Sequence, residues 1–302
     1  MVKENLRLNK THNLQIVYEQ TLGAAAMNNR GFYYPVDLDF GAEGKIYCLN
    51  RAHEGDTSGV RVCVLDLDSN YYGVFGSNGY NEGQFIYATG IAVYDEIVYV
   101  SDEHTNKISL FDSSGEFIKR WGVTGSKEGQ LNGPSALKFD LNGNLYIASE
   151  LGAYFLDLDD ELRPFPLPNA NNSAVYKFMS DTDGGLWVST YGRLLFRDKT
   201  GEWQWVEPSQ LDQSIWFADI FRDDKNNVWL ASFSEGLWLA HEGRVERHSA
   251  VSNMTESVMA ISQAPDGKLW VANKSGIGYF DLDKSFINLV PSSKYGYASV
   301  HD

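Results

Sequence analysis

The sequence predicts an all-β fold built from one repeated unit, and three observations lead to this prediction. A short apolar strand with an aromatic centre recurs six times in the 302 residues. Tight turns rich in Asp, Asn and Gly precede most copies, and strands with alternating apolar and polar residues follow each copy. A period of about 40–50 residues with four short strands is typical of a β-propeller. We therefore predict a six-bladed β-propeller of four-stranded antiparallel blades, with seven blades as the alternative.

The second strand of each unit sets the register of the repeat. Its aromatic centres are Tyr47, Tyr99, Tyr146, Trp187, Trp229 and Trp270. These residues lie in the middle of predicted strands, where side chains pack against a neighbouring blade. We therefore interpret them as core between blades, and a surface on which sugars stack is the less favoured alternative.

Acidic turns precede these second strands. Examples are Asp140-Leu-Asn-Gly143, Asp181-Thr-Asp-Gly184 and Asp224-Lys-Asn-Asn227. Gly and Asn tolerate the positive φ that a tight hairpin demands. A calcium loop of the EF-hand type closes with a Glu at its twelfth position, which these turns lack. We predict that they are structural turns and not metal sites.

Composition and charge limit the function classes. The chain is 43% hydrophobic and 14% aromatic, as in folded globular proteins, and its formal net charge is −15. So acidic a chain, without a basic stripe, is not expected to bind nucleic acid. We expect no membrane segment, because no apolar run approaches the ~20 residues that a helix needs to cross a bilayer. Without a recognisable signal peptide the chain is expected in the cytoplasm as written, although its localisation is otherwise unknown.

The two cysteines, Cys48 and Cys63, do not form a disulfide framework. They fall in the second and third strands of the first unit, which are predicted to form a hairpin. Two buried free thiols are therefore predicted.

Glycine-rich connectors distinguish the first half of the chain. They read Phe75-Gly-Ser-Asn-Gly-Tyr-Asn-Glu-Gly-Gln-Phe85 and Trp121-Gly-Val-Thr-Gly-Ser-Lys-Glu-Gly-Gln-Leu131, and Ser101–Asp112 supplies the intervening strands. Residues 14–149 thereby resemble the NHL-repeat family, more loosely in the first blade, where residues 50–59 lengthen a loop. The resemblance implies a propeller that serves as an interaction platform. NHL-type relatives also include a zinc lyase with histidines around its channel.

The second half has a different style of repeat. Residues 183–196, 227–238 and 266–280 share a Leu/Val-Trp core followed by a small-residue turn. Residues 150–302 thereby resemble the two-component regulator propeller, which implies a sensory role. We interpret residues 1–302 as one propeller domain with blades 1–3 in 14–149 and blades 4–6 in 150–302. A natural mixed propeller and an engineered chimera of two half-propellers remain alternative origins.

The candidate sites are placed by the expected channel. Its inner strands are predicted at 36–40, 90–94, 136–140, 175–180, 217–221 and 258–262, and these segments read as mostly apolar and small, without a ring of inward carboxylates. The loops that precede the inner strands and those that join second to third strands should share one face of the ring, called the loop face below. The connector aromatics Phe32, Tyr33 and Tyr34 are candidate ligand-binding residues there.

His53 and His104 are the candidate metal ligands, for zinc or calcium. Both lie in loops between second and third strands, in adjacent blades. A catalytic zinc needs three protein ligands, and the third blade has Ser149-Glu150 at the corresponding place. Glu54, Asp102, Glu103 or Glu150 would have to complete the site. Solvated loop histidines are the favoured interpretation.

These observations favour a non-catalytic scaffold over an enzyme. We expect a monomer without a cofactor that binds an unknown protein or small molecule on its channel face, or an engineered hybrid without a native function. The alternative is a metal-dependent lyase or hydrolase at the channel mouth, with His53 and His104 as its first ligands. How the ring closes stays open, because residues 14–19 and 297–300 both read as spare terminal strands.

Overall fold

The computed structural model describes most of the chain from residue 32 to residue 291. The described residues are 32–51, 57–66, 68, 70–127, 129–156, 162–168, 173–181, 184–191, 193–206, 215, 217–232, 234–241, 244–247, 258–263, 269–273, 276–280 and 286–291. The two segments proposed to close the ring lie outside them. Within these ranges, no helix has the length and apolar character needed to cross a membrane.

In the described ranges, six four-stranded antiparallel sheets account for nearly all regular structure, so the all-β prediction is confirmed. Each sheet is one blade, and blades 1–3 are as follows. Blade 1 contains β1 Pro35–Phe40, β2 Ile46–Asn50, β3 Arg61–Leu65 and β4 Tyr71–Phe75. Blade 2 contains β7 Ala88–Tyr94, β8 Ile97–Asp102, β9 Lys107–Asp112 and β10 Phe117–Trp121. Blade 3 contains β11 Ala136–Phe139, β12 Leu145–Ser149, β13 Gly152–Leu156 and β14 Leu162–Phe165.

Blades 4–6 repeat the same strand order. Blade 4 contains β15 Val175–Ser180, β16 Leu186–Thr190, β17 Arg193–Arg197 and β18 Trp203–Val206. Blade 5 contains β19 Phe217–Arg222, β20 Val228–Ser232, β21 Gly236–His241 and β22 Arg244–Arg247. Blade 6 contains β23 Val258–Gln263, β24 Leu269–Asn273, β25 Gly276–Phe280 and β26 Phe286–Pro291. The remaining elements are a short parallel pair, β5 Ser77–Asn78 and β6 Gln84–Phe85, and a 3-10 turn at Ala42–Gly44.

The core lies between blades, as the register of aromatic residues predicts. Tyr47 and Trp229 are only 1% and 2% exposed. Tyr146 contacts Phe165 of its own blade and Phe178 of the next, with ring centroids 5.0 and 5.8 Å apart. Because these aromatic residues fill the gap to a neighbouring sheet, the blades that contain them stack through their second strands.

The inner strands follow one another in chain order around the channel. Each of β1, β7, β11, β15 and β19 contacts the inner strand of the following blade. Aspartates on inner strands add hydrogen bonds between blades. Asp37 and Asp39 of β1 accept the backbone N–H groups of Ile91 and Val93 at 2.9 and 2.8 Å, and Asp219 accepts that of Ile261 at 3.1 Å.

The cysteines are arranged as predicted. Cys48 of β2 lies directly opposite Cys63 of β3, and both are free and buried. The Arg61 Nε donates to the Cys63 sulfur at 3.3 Å. Burial, reinforced by the neighbouring Cys63 thiol, raises the pKa of Cys48 to about 12.

Candidate functional site

A backbone hydrogen bond recurs at the loop face and aligns its loops. The residue after the second strand donates its N–H to a carbonyl just before the inner strand of the same blade. The pairs are Arg51 to Tyr34 at 3.1 Å, Glu103 to Tyr87 at 3.0 Å, and Glu150 to Asn132 at 3.2 Å. The side chains of consecutive blades therefore occupy equivalent places around this face.

Asp102 holds the two loops of blade 2 together. Its buried carboxylate, at the end of β8, accepts four backbone N–H groups at 2.7 to 3.2 Å, from Ile86, Tyr87, His104 and Thr105. A carboxylate with this many backbone donors is a structural cap. Sequence reasoning counted Asp102 among the carboxylates that might complete a metal site, and its role in the loop was missed.

A cavity of about 200 Å³ opens on the loop face between blades 2 and 3. We call it the loop-face cavity. It is lined by Tyr87, Glu103, His104, Asn106, Asn132, Gly133 and Glu150. These residues come from the loops before β7 and β11 and after β8 and β12, so the propeller repeat itself brings them together.

Two carboxylates give the cavity its electrostatic character. Burial, and next the neighbouring Glu150 carboxylate, raise the pKa of Glu103, while Arg51 acts in the opposite direction. Glu150 accepts a hydrogen bond from the Asn132 side-chain amide at 3.2 Å. Gly133 allows this arrangement, because a Cβ there would lie 2.9 Å from the Cγ of Glu150.

An arginine and two tyrosines extend the site towards blade 1. The Arg51 guanidinium carbon lies 4.2 Å from the ring centroid of Tyr87 and 5.5 Å from that of Tyr34. These distances are those of cation–π contacts. The loop face therefore combines aromatic rings, carboxylates and one guanidinium over blades 1–3.

The three predicted ligand-binding residues have different surroundings. Tyr34 is 45% exposed and belongs to the loop face beside Arg51. Tyr33 donates its N–H to the Asn50 side chain at 2.9 Å and packs against the core between blades 1 and 2. Phe32 is half-buried. Of the three, Tyr34 is the one whose ring contacts the Arg51 guanidinium.

The two predicted metal ligands also differ. His104 lines the loop-face cavity, and its Nε2 lies 3.2 Å from the hydroxyl of the exposed Tyr80. His53 lies outside the described residues. In the part of the chain that the structure describes, no three His, Cys, Asp or Glu side chains are grouped to hold a metal ion.

The channel walls are more charged than the sequence suggested. A cavity of about 290 Å³ lies among the inner strands, and its walls include Asp37, Asp39, Lys138 and Lys177. The sequence predicted mostly apolar walls without a ring of inward carboxylates, and the structure adds two carboxylates and two lysines to these walls. Burial raises the pKa of Asp37, although the Ile91 N–H and Lys177 favour its charged form. Since Asp37 and Asp39 accept backbone N–H groups of blade 2, we assign them to the assembly of the ring.

Comparison with known proteins identifies the fold and leaves the family open. No family model and no curated protein matches the sequence. Virginiamycin B lyase from Staphylococcus aureus is 14% identical with a TM-score of 0.64, and the match covers 86% of this chain and 85% of that chain. The extracellular domain of the putative hybrid two-component system BT4673 from B. thetaiotaomicron also has 14% identity and a TM-score of 0.64.

That match covers 86% of this chain, which spans only 34% of the BT4673 domain. PorZ, a surface component of the type-IX secretion system of Porphyromonas gingivalis, is 14% identical with a TM-score of 0.62. The PorZ match covers 91% of this chain and 44% of that one. At such identities the likeness shows the β-propeller fold alone.

Proposed function

We propose that this protein is a non-catalytic binding propeller whose ligand sits on the loop face of blades 1–3. The observation that carries the proposal is the loop-face cavity, where Tyr87, Glu103 and Glu150 converge from loops of two blades. Clefts with a few converging polar and aromatic groups are the usual binding sites of proteins. The extracellular domain of a putative hybrid two-component system and a surface component of a secretion system share the fold, which agrees with a role in binding.

The finer assignments remain proposals. The first half is proposed to be NHL-like and to supply the binding face, and the second to be of the regulator-propeller type. An origin by joining two half-propellers near residue 150 is the accompanying hypothesis. A natural protein collinear with this chain across residues 130–170 would contradict that hypothesis. A cytoplasmic location also belongs to the proposal, although one structural neighbour is an extracellular domain.

The lyase or hydrolase alternative has no specific observation in its favour. It depends on His53, which lies outside the described residues, and on His104. The carboxylate of Asp102, two residues before His104, accepts four backbone N–H groups. Similarity to virginiamycin B lyase extends to the fold at 14% identity and carries no catalytic residues to this chain.

Amide chemical-shift mapping would test the binding proposal. A library of small cationic, anionic and neutral fragments is added to labelled protein, and shifts are expected to cluster at Tyr87, His104 and Gly133. Tyr87→Ala should weaken binding, because it removes a wall of the cavity. Tyr72→Ala is the matched control, since Tyr72 is 53% exposed on the outer strand β4. Shifts clustered elsewhere, or equal loss of binding in both variants, would contradict the proposal.

A further inference from the structure

We propose that the loop-face cavity binds an organic cation, a guanidinium or alkylammonium group. This inference rests on the proposed function of the loop face and adds the chemical class of its ligand. Three features carry it: the charge balance of the cavity walls, the aromatic rings beside them, and the volume of the cavity.

The charge balance favours a positive ligand. Glu103 and Glu150 both line the cavity, and among the lining residues that the structure describes there is no Lys or Arg. Burial raises the pKa of Glu103, and the nearby Glu150 carboxylate raises it further by disfavouring a second negative charge. A cation between them would be attracted to both and would remove their repulsion.

The aromatic rings already hold a cation of the same class. The Arg51 guanidinium contacts the rings of Tyr87 and Tyr34 at 4.2 and 5.5 Å. Tyr87 also forms a wall of the cavity. Because an aromatic ring has negative potential on both of its faces, Tyr87 can contact one cation from this chain and another from a ligand. Arg51 thus shows, within the protein, which chemistry these rings accept.

The volume indicates a single head group. The cavity measures about 200 Å³. Pockets for drug-sized ligands run from ~300 to ~1,000 Å³. One guanidinium or ammonium group on a short alkyl chain therefore suits the space better than a whole large metabolite. Such a group belongs either to a free small amine or guanidine, or to a basic side chain of a peptide.

The test compares probes that differ in charge. The peptides are acetylated and amidated Gly-Arg-Gly, Gly-Lys-Gly and Gly-Gln-Gly, and methylguanidine represents a free small cation. Binding is followed by amide shifts at low ionic strength, because salt screens exposed charges. The Arg and Lys peptides should bind at the cavity and the Gln peptide should not. Binding of methylguanidine as well would identify the head group as sufficient, whereas binding of the peptides alone would identify a peptide side chain as the source.

Matched variants test the assignment to the two carboxylates. Glu103→Gln and Glu150→Gln should each weaken cation binding by about tenfold, as expected for loss of a hydrogen bond to a charged group. Glu116→Gln carries the same charge change in an exposed turn between β9 and β10, at the opposite end of blade 2, and should bind as the parent does. Thermal melts of all three variants establish that they are folded.

The outcomes separate this inference from the proposed function. Equal binding of the Gln and Arg peptides, or cation binding unchanged in both cavity variants, would overturn the cation assignment. If neutral or anionic fragments bind at the cavity and cations do not, the inference is wrong and the binding propeller stands. If nothing binds on the loop face, both proposals are wrong.

Discussion

The residue at the end of the second strand shows how one position is adapted from blade to blade. The Asp102 carboxylate in blade 2 accepts hydrogen bonds from four backbone N–H groups. Asn50 takes the same place in blade 1 and accepts the Tyr33 N–H through Oδ1. Its Nδ2 instead donates to the carbonyls of Cys48 and Arg61 at 3.0 and 3.4 Å. The choice of Asp or Asn follows from whether the facing backbone groups are donors or acceptors.

Exchanging these two side chains should therefore destabilise the protein in both directions. In Asp102→Asn an amide NH₂ would replace an acceptor of N–H groups, and in Asn50→Asp a carboxylate would face two carbonyls. Each change is expected to lower the free energy of unfolding by about 1–3 kcal/mol, measured by urea unfolding. Asp95→Asn, in an exposed turn, should change it by less than about 0.5 kcal/mol. A neutral result for either exchange would contradict the hydrogen-bond assignment.

The buried thiols predict a loss of stability at alkaline pH. The pKa of Cys48 is raised from 9.0 to about 12 in the folded protein, chiefly by burial. The unfolded chain therefore releases this proton first, so the contribution to stability is complete below pH ~8.5 and is lost as pH rises towards the folded-state pKa. The free energy of unfolding, measured in urea, should therefore fall by roughly 1 kcal/mol through Cys48 between about pH 8.5 and pH 9.5.

The variant Cys48→Ala isolates this effect. It removes one titrating group, so its stability should fall less steeply over the same pH range than that of the parent. Tyrosines ionise mainly above this range and should affect both proteins equally. An identical pH dependence in Cys48→Ala would show that the thiol does not cause the loss.

Among elements, the turns between first and second strands combine a shared backbone with different side-chain partners. In blade 5, Asp223 accepts the backbone N–H groups of Lys225 and Asn227 and the Trp229 indole N–H at 2.8 to 2.9 Å. In blade 4, the corresponding Asp181 pairs with Arg222 of the next inner strand. The Trp187 Nε1 is buried and has no hydrogen-bond partner within the described structure.

This difference predicts unequal effects of the same substitution. Trp229→Phe would leave the Asp223 carboxylate short of a buried donor, whereas Trp187→Phe would remove an N–H group that makes no hydrogen bond. Both variants lose similar ring volume, so Trp229→Phe should cost about 1–2 kcal/mol more in urea unfolding. Equal losses would contradict the distinction between the two turns.

The glycine-rich connectors are another repeated element. Gln84 and Gln130 each accept a backbone N–H through Oε1, from Asn81 at 3.1 Å and Lys127 at 3.0 Å. The repeated Gly-x-x-Glu-Gly-Gln pattern predicted that the two connectors are alike, because the pattern is local. The hydrogen bond of the glutamine side chain was not predicted, because it forms only when the connector folds back towards its own backbone.

For the whole molecule, local periodicity explains what the sequence could predict. The positions of Tyr47, Tyr146 and Trp229 were enough to place strands and blades, because each of these aromatic residues lies within its own hairpin. The placement of Tyr34 and His104 on one face followed from the same repeat. The hydrogen bond from Ile91 to Asp37 spans 54 residues, and local patterns do not register such contacts. Sequence analysis considered Glu103 and Glu150 singly as metal ligands, and their pairing in one cavity was not predicted for the same reason.

Blades 3 and 4 share a core. Residue 150 lies inside blade 3, between β12 and β13, so the predicted division of the chain at this residue does not coincide with the boundary between two blades. Tyr146 and Phe165 of blade 3 belong to the same buried cluster as Phe178 and Val188 of blade 4. Blade 3 would expose this surface if it were separated from blade 4. Because blades contact mainly their neighbours, the strength of this shared interface determines whether the halves unfold together.

Two probes report on the two halves, and they are expected to agree. Cys48 and Cys63 lie in the first half, and seven of the eight tryptophans follow residue 150. During urea unfolding, thiol reactivity with a disulfide reagent and tryptophan fluorescence should therefore follow one transition. Phe178→Ala, which leaves a cavity in the buried interface, should lower the free energy of unfolding by about 3 kcal/mol as measured by either probe. Leu141→Ala is the control, because Leu141 is 71% exposed. Separate transitions, or a Phe178→Ala shift confined to fluorescence, would mean that the half-propellers fold independently and that the shared core does not couple them.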